Sequence, residues 1–312
     1  MSRAASHARK PAWLKVKAPE PRRYRATGAL LDELELHTVC REARCPNKGE
    51  CFAAGTATFL ILGDACTRGC RFCSVERASA ARRPRPVDLD EPRRVAEAAR
   101  RLGLRHVVVT SVTRDDLPDG GAGAFAAVVA AVRAELPAAT VEVLIPDLGG
   151  DGAALATVLA ANPDVLNHNL ETVPRLYPEV RPQARYGRSL ELLERASAWA
   201  RAHGVGRAEE PRSPASESRR PLVKTGLMVG LGETTDEVAD VLADTAAAGV
   251  HAVTIGQYLQ PQAGCLAVAR YVTPQELRDH ERRGSVLGLT VLAAPFVRSS
   301  YRAGDLLIEE PA

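Results

Sequence analysis

Short β-branched and aliphatic runs alternate along this chain with longer segments rich in Ala, Leu and Arg. The runs Thr58–Leu62, His106–Thr110, Val141–Ile145, Val165–Asn169, Val223–Val229 and Val253–Gln257 predict strands. Between and after them, Glu91–Leu102, Gly123–Leu136, Asp151–Ala161, Ser189–His203, Thr235–Ala248 and Pro274–Gly284 predict helices, the first with Pro92 in its opening turn. A last apolar stretch covers Leu289–Ala294. Near-continuous apolar strands are buried on both faces, the pattern of a parallel sheet under helices. Six β/α repeats therefore predict an α/β fold, a partial parallel (β/α)6 barrel of TIM type. An eightfold barrel takes about 250 residues, so six units within residues 57–287 imply an open one.

Residues 1–56 then read as an N-terminal extension and residues 288–312 as a C-terminal one. The stretch 204–221, GVGRAEEPRSPASESRRP, breaks the rhythm with Pro, Ser, Arg and Glu. It reads as a loop insertion between a helix and the next strand, on the face of a barrel away from catalysis.

The 312 residues are 46% hydrophobic and 25% charged, the balance of a globular protein with a sizeable core. A net charge of +3 gives no sign of a nucleic-acid partner. No apolar run has the length of a membrane-spanning helix, so no membrane partner and a cytoplasmic location are expected. The charge is uneven, with Arg3, Arg9, Lys10, Lys15, Lys17, Arg22, Arg23 and Arg25 facing only Glu20 in the first thirty positions. Prolines 11, 19 and 21 interrupt any amphipathic transit helix there; a solvated tail and an arm for an acidic protein remain open.

The cysteines change the picture most. Cys40, Cys45 and Cys51 have the spacing C-x4-C-x5-C, and Cys66, Cys70 and Cys73 have C-x3-C-x2-C. Two sets of three thiolates on either side of one short strand predict two iron–sulfur clusters, each with an iron left for another ligand. Structural zinc is the rival, but it takes four tetrahedral ligands and neither set has a fourth Cys or His at a suitable spacing. His37 reads as a polar residue at a helix end, and Cys265 as a small buried hydrophobe. A disulfide framework suits small secreted domains and is not expected here.

C-x3-C-x2-C on a βα loop of a β/α barrel resembles the radical S-adenosylmethionine superfamily. Together with HTVCREARCPNKGECF, TSVTRDDLPDGGA, HNLETVPRLYPEVRP, GLMVGLGET, RYVTP and the terminal RSSYRAG, the chain resembles the lipoyl synthase family over about residues 11–304. The resemblance implies two 4Fe–4S clusters and S-adenosyl-L-methionine. It also implies insertion of two sulfur atoms, at the sixth and eighth carbons of an octanoyl chain. That chain is carried on a lysine of a lipoyl carrier domain of a 2-oxoacid dehydrogenase complex, or of the glycine-cleavage H protein. Further implied partners are a one-electron reductant of flavodoxin or ferredoxin type and a cluster-assembly protein.

By the same resemblance, Cys66, Cys70 and Cys73 hold the cluster that cleaves the cofactor. Cys40, Cys45 and Cys51 hold an auxiliary cluster that donates sulfur, with Ser300 as its fourth ligand. Asn169 and Glu171 would meet the ribose hydroxyls, or else form an ordinary helix N-terminus. Gly120 and Gly121 would lay backbone along the methionyl group, or else form a plain turn. Arg298 would hold its loop or a carboxylate, or else make a surface ion pair. Many relatives carry a histidine where this chain has Cys265. Other readings are a biotin synthase-like or methylthiotransferase-like sulfur inserter, and a non-catalytic iron–sulfur electron carrier.

Deleting residues 206–219 is expected to leave soluble yield and turnover near those of the intact chain. Loop length changes closure entropy by only about 0.6 kcal/mol per doubling. Thermal unfolding and product formation check this, and a large loss of either contradicts the loop reading.

Overall fold

A computed structural model describes residues 10–16, 18–203 and 221–304. Most of the 204–221 insertion lies outside the described residues. Seven parallel strands follow one another in chain order across a single curled sheet. They are β1 (Thr58–Ile61), β2 (His106–Ser111), β3 (Thr140–Leu144), β4 (Val165–Asn167), β5 (Leu222–Val229), β6 (Ala252–Gln257) and β7 (Thr290–Ala294). A two-residue strand, His37–Thr38, pairs antiparallel with β1 and forms the other edge. That edge and β7 do not pair, so the barrel is open.

Helices α1 (Glu91–Arg101), α2 (Ala122–Glu135), α3 (Gly152–Ala160), α4 (Tyr186–His203), α5 (Thr235–Ala247) and α6 (Pro274–Val286) follow the first six strands and cover the outside. Reciprocal caps, Thr234 with Glu237 and Thr273 with Glu276, start α5 and α6. The main core lies between sheet and helices, around Phe59, Val107, Phe125, Val141, Val158, Leu193, Val241 and Ile255. Residues 288–312, expected as an extension, open with β7, which pairs in register along β6 from Thr290–Ala252 to Ala294–Gly256.

The strands are less uniformly apolar than their sequences suggest. Side chains alternate between faces along a strand. Val141 and Val143 join the outer core, whereas Glu142 between them reaches the interior, where it meets Asn167 and Lys224. All three of these polar side chains are completely buried. The interior therefore carries a polar stripe.

Candidate cluster-binding and active site

The second cysteine set leaves β1 through two left-handed residues, Leu62 (φ 68°) and Gly63 (φ 89°). Its loop is closed on itself, because Ala65–Cys66 pairs with Glu76–Arg77 and the Ala78 amide donates to the Cys66 carbonyl at 2.7 Å. Between the first two cysteines, Arg68 forks onto Asp115 (2.8 and 2.7 Å) and also donates to Asp147 (2.7 Å). Asp147 is fully buried and takes a further bond from Arg188 at 2.8 Å. Burial pushes the Asp147 carboxyl up, but hydrogen bonds and charge from Arg68, with the charge of Arg188, more than offset it and hold it at about 2. The Gly69 amide donates to Gln183 (2.6 Å), the Arg71 amide to the Val180 carbonyl (2.9 Å), and the Thr113 amide to the Cys66 sulfur (3.3 Å). The cysteine loop is thus fixed by the loops after β2, β3 and β4.

Glu171 sits in a left-handed conformation (φ 67°) just past β4. Its amide donates to the Gly226 carbonyl at 2.9 Å, and its carbonyl accepts from Met228 at 2.8 Å. Here the backbone extends the sheet and starts no helix; Pro174–Leu176 and Tyr177–Val180 are short turns further on. The Asn169 amide nitrogen donates to the Glu171 carboxylate at 3.1 Å. Burial raises the Glu171 carboxyl, opposed by Arg181 and Asn169. Arg181 donates to the Asn169 carbonyl at 3.0 Å and stacks over Tyr177, while its buried Nε has no partner. Its charge acts on Cys70 and on Glu171 alike.

Gly120 and Gly121 form a left-handed turn that leads into α2; the Gly121 amide donates to one Asp119 carboxylate oxygen at 2.9 Å and the Gly123 amide to the other at 2.8 Å. A Cβ on Gly121 would lie 2.3 Å from the Leu62 side chain, and one on Gly120 would crowd Leu148. The part of this loop that touches the second cysteine set is Thr113–Asp115.

The first cysteine set lies beside the open edge. Cys40 is in the helix Val39–Glu42, capped by Thr38, and Cys51 in the helix Lys48–Ala53. Arg41 bonds Asp32 and the Gly28 carbonyl, and Thr27 bonds the Phe52 carbonyl, which ties the set to the helix Pro21–Glu33. The Ser74 hydroxyl donates to the Glu42 carbonyl at 3.0 Å and joins the two cysteine segments. His37, expected at a helix end, lies instead in the edge strand, 3.5 Å from Glu42.

The C-terminal segment runs back into the barrel interior. Asn47 donates to the Phe296 carbonyl at 2.7 Å, and the Tyr301 hydroxyl to Glu50 at 2.8 Å. The Ser299 hydroxyl donates to Asn169 Oδ1 at 2.7 Å, and the Lys224 ammonium to the Ser299 carbonyl at 2.5 Å. A Cβ on Gly256 would lie 2.1 Å from the Val297 carbonyl oxygen, and one on Gly226 would lie 2.5 Å from the Ser299 hydroxyl. Both strands therefore need glycine where the segment crosses them. Arg298 is half-buried. Burial lowers its guanidinium, while Cys45 and Glu171 pull it back up. Its charge thus meets Cys45 of the first set and Glu171 past β4, and the surface ion pair allowed by its sequence is absent among the described residues.

All seven cysteines are free. Burial pushes the thiols of Cys40 up to about 11 and of Cys51 and Cys73 to about 12, with like-charged neighbours within each set adding to it. Metal binding must displace these protons. Within each set the thiols lie close enough for their charges to act on one another, and three thiols without a fourth Cys or His fit an iron–sulfur cluster better than tetrahedral zinc. The unpartnered Nε of Arg181 leaves a donor for an anion beside the second set. Cys265, expected as a buried hydrophobe, is instead half-buried with its sulfur 3.5 Å from the Cys73 carbonyl. The following residue explains the placement: the Leu266 amide is bonded to the Arg71 carbonyl at 2.9 Å.

Sequence reasoning overlooked Arg68, Asp147, Arg181, Lys224 and Ser299. The arginines stood in view within CTRGC and YPEVRP, but nothing local names their partners.

Residues 60–245 match the model of the radical SAM superfamily. Solved structures with this fold include a SuiB from Streptococcus suis bound to S-adenosylmethionine (TM-score 0.52, 11% identity, 80% of this chain and 54% of that one). Another is HydG, a maturase of the [FeFe]-hydrogenase (TM-score 0.53, 15% identity, 73% and 48%). The chain is a radical S-adenosylmethionine protein.

Residues 1–45 match the N-terminal domain of lipoyl synthase. A lipoyl synthase of Oleidesulfovibrio alaskensis is 51% identical over 98% of both chains, and one of Nitratidesulfovibrio vulgaris is 53% identical over 94% of this chain and 91% of its own. The chain belongs to the lipoyl synthase family, whose cofactors are S-adenosylmethionine and 4Fe–4S clusters.

Gly256→Ala is expected to drive the Val297 backbone off β6 and to destabilise the protein by about 1–3 kcal/mol, the cost of overpacking. Urea unfolding measures this. An unchanged midpoint would mean that the C-terminal segment does not lie on that strand.

Proposed function

We propose that the protein converts an octanoyl group, amide-linked to a lysine of a carrier protein, into a lipoyl group by placing sulfur on its sixth and eighth carbons. Membership of the lipoyl synthase family supports the reaction. The observation that supports the division of labour is the segment Val297–Tyr301, tied through Ser299 to Asn169 past β4 and through Tyr301 to Glu50, the neighbour of Cys51.

In this reading Cys66, Cys70 and Cys73 would hold a 4Fe–4S cluster. When bound there, S-adenosylmethionine supplies a radical able to take hydrogen from an unactivated C–H bond. Arg68, Asp147 and Gln183 fix the loop. Asn169 and Glu171, oriented by Ser299 and by each other, offer a donor and an acceptor to ribose hydroxyls. Arg181 offers its free Nε to an anion, and the backbone of Gly120 and Gly121 is assigned to the methionyl group.

The cluster on Cys40, Cys45 and Cys51 is a substrate, the source of sulfur, with Ser300 as its fourth ligand. Arg298, on one side of Ser300, faces Cys45. Tyr301, on the other, bonds Glu50 and lies near Cys51, its phenol pushed up to about 12 by burial and by Glu50. A serine oxygen binds such an iron less firmly than a thiolate does, so it can be released.

The carrier is assigned to the 2-oxoacid dehydrogenase complexes or to glycine cleavage. The electron donor is assigned to the flavodoxin or ferredoxin type, and renewal of the first cluster to an assembly protein. A reducing cytoplasm suits seven unpaired cysteines. No helix among the described residues is long and apolar enough to cross a membrane.

Incubating the reconstituted protein anaerobically with reductant, S-adenosylmethionine and an octanoylated carrier peptide should give the dithiolated peptide, read by mass spectrometry; no sulfur on the peptide would overturn the assignment. The intact protein should hold about eight irons. Replacing Cys66, Cys70 and Cys73 with Ala should halve the iron and abolish 5′-deoxyadenosine. Replacing Cys40, Cys45 and Cys51 should also halve the iron, but leave cofactor cleavage and remove sulfur transfer. Cofactor cleavage in the former, or lipoyl product from the latter, contradicts the roles given to the two sets.

Ser300→Ala should make the first cluster lose iron faster to a chelator. Ser300→Cys should retain it more firmly than the parent, and both should impair sulfur insertion more than cofactor cleavage. Normal lipoyl formation in both variants would remove Ser300 from the ligand set.

A further inference from the structure

Among the described residues Lys224 is the one lysine that is completely buried, and it sits in the barrel interior on β5. Its ammonium has three protons and three acceptors. Two are the oxygens of Glu142, at 3.0 and 3.2 Å, and the third is the Ser299 carbonyl at 2.5 Å. Glu142 is completely buried as well; it accepts from Asn167 at 2.9 Å and lies 3.4 Å from His106 Nε2. The Lys224–Glu142 pair is internal to the sheet, whereas Ser299 belongs to a segment that enters from outside. Without that segment the third proton of a buried ammonium has no partner, which is costly. Occupation of the interior by the C-terminal segment and completion of the Lys224 site are therefore one event.

From the side of the segment, both polar groups of Ser299 are taken by the barrel: the carbonyl by Lys224 and the hydroxyl by Asn169. Ser300, the next residue, has no hydrogen-bond partner among the described residues. On its other side the segment is tied to the first cysteine set through Tyr301 and Glu50, and upstream through Phe296 and Asn47. Ser300 thus projects from a segment pinned to the barrel floor at 299 and to the first cysteine set at 296 and 301.

We propose that Lys224 is a positioning residue for the serine ligand: by holding the Ser299 carbonyl it sets Ser300 against the cluster on Cys40, Cys45 and Cys51. The inference rests on the reading of Ser300 as that cluster's ligand. A fixed backbone lets the Ser300 oxygen leave and return while the segment stays in place. Glu142 acts indirectly, by aiming the ammonium through its two oxygens.

Lys224→Met alone leaves Glu142 as an unpaired buried charge, so the informative variant is Lys224→Met/Glu142→Gln, which removes both charges. Hydrogen–deuterium exchange of residues 297–304 is followed in the full chain without clusters, and chelator-driven iron loss from the first cluster in the reconstituted protein. The double variant should exchange 297–304 about tenfold faster or more, the scale of one lost charge-assisted hydrogen bond. Exchange on β3 and β5 should match the parent. Iron loss should accelerate by a similar factor, and sulfur insertion should fall more than cofactor cleavage does.

Parent-like exchange and iron retention in the double variant would overturn the proposal, leaving Lys224 as a mere counter-ion to Glu142. Faster exchange throughout β3 and β5 would overturn it too, since the role would then be one of general stability. Ser300→Ala separates the two levels. If it leaves iron loss unchanged, the ligand reading fails whatever Lys224 does. If it accelerates iron loss while the double variant does not, only the positioning role fails.

Discussion

A parallel sheet that curls without closing has an interior that something must fill, and here the chain's own C-terminal segment fills part of it. The contact that fixes the filling is the Lys224 ammonium on the Ser299 carbonyl, backed by Glu142. Two glycines, Gly226 and Gly256, clear the way for it, since a Cβ at either would strike the segment. An ion pair buried this deeply adds little stability by itself, because desolvation offsets most of the attraction. Its value lies in geometry, as the ammonium donates to one backbone carbonyl in one place.

Around that segment, the two thiol sets are held by different means. The first is fixed by helices, with Arg41, Thr27 and Asn47 binding backbone carbonyls of neighbouring segments. The second is fixed by charge, with Arg68 and Arg188 converging on the buried Asp147. Arg298 and Ser299 link the first set to the strand end past β4, Arg298 through its charge on Cys45 and Ser299 through its bond to Asn169. The Arg298 guanidinium interacts with both Cys45 and Glu171, so one positive charge serves groups from two regions of the chain. The same closeness makes Ser299 more than a spacer, since its hydroxyl orients the Asn169 side chain.

In the sequence the insertion at 204–221 falls between α4 and β5 and includes none of the motifs that carry the family resemblance. Cys265 is the other departure. Its sulfur lies on the Cys73 carbonyl, so the segment that carries it packs on the second cysteine loop. The placement comes from the backbone bond between Leu266 and Arg71, which any side chain at 265 would share.

Read alone, the sequence showed the alternation of strand and helix, the open parallel barrel and the two thiol sets. These are local properties: periodicity over a few residues and cysteine spacing within single loops. It left Glu171 undecided between a helix start and a ligand contact, and the left-handed backbone there resolves the local structure as an extension of the sheet. Leu289–Ala294 read as an apolar stretch, and only pairing along β6 made it a seventh strand. The polar interior was hidden as well, because Glu142 and Lys224 look like interruptions of apolar runs. Their partnership spans 82 positions, the Lys224–Ser299 contact 75, and the Asn169–Ser299 contact 130. Contacts of that range leave no periodic trace in a chain. They exist only because the curl of the sheet brings strand interiors and the returning C-terminal segment to the same place.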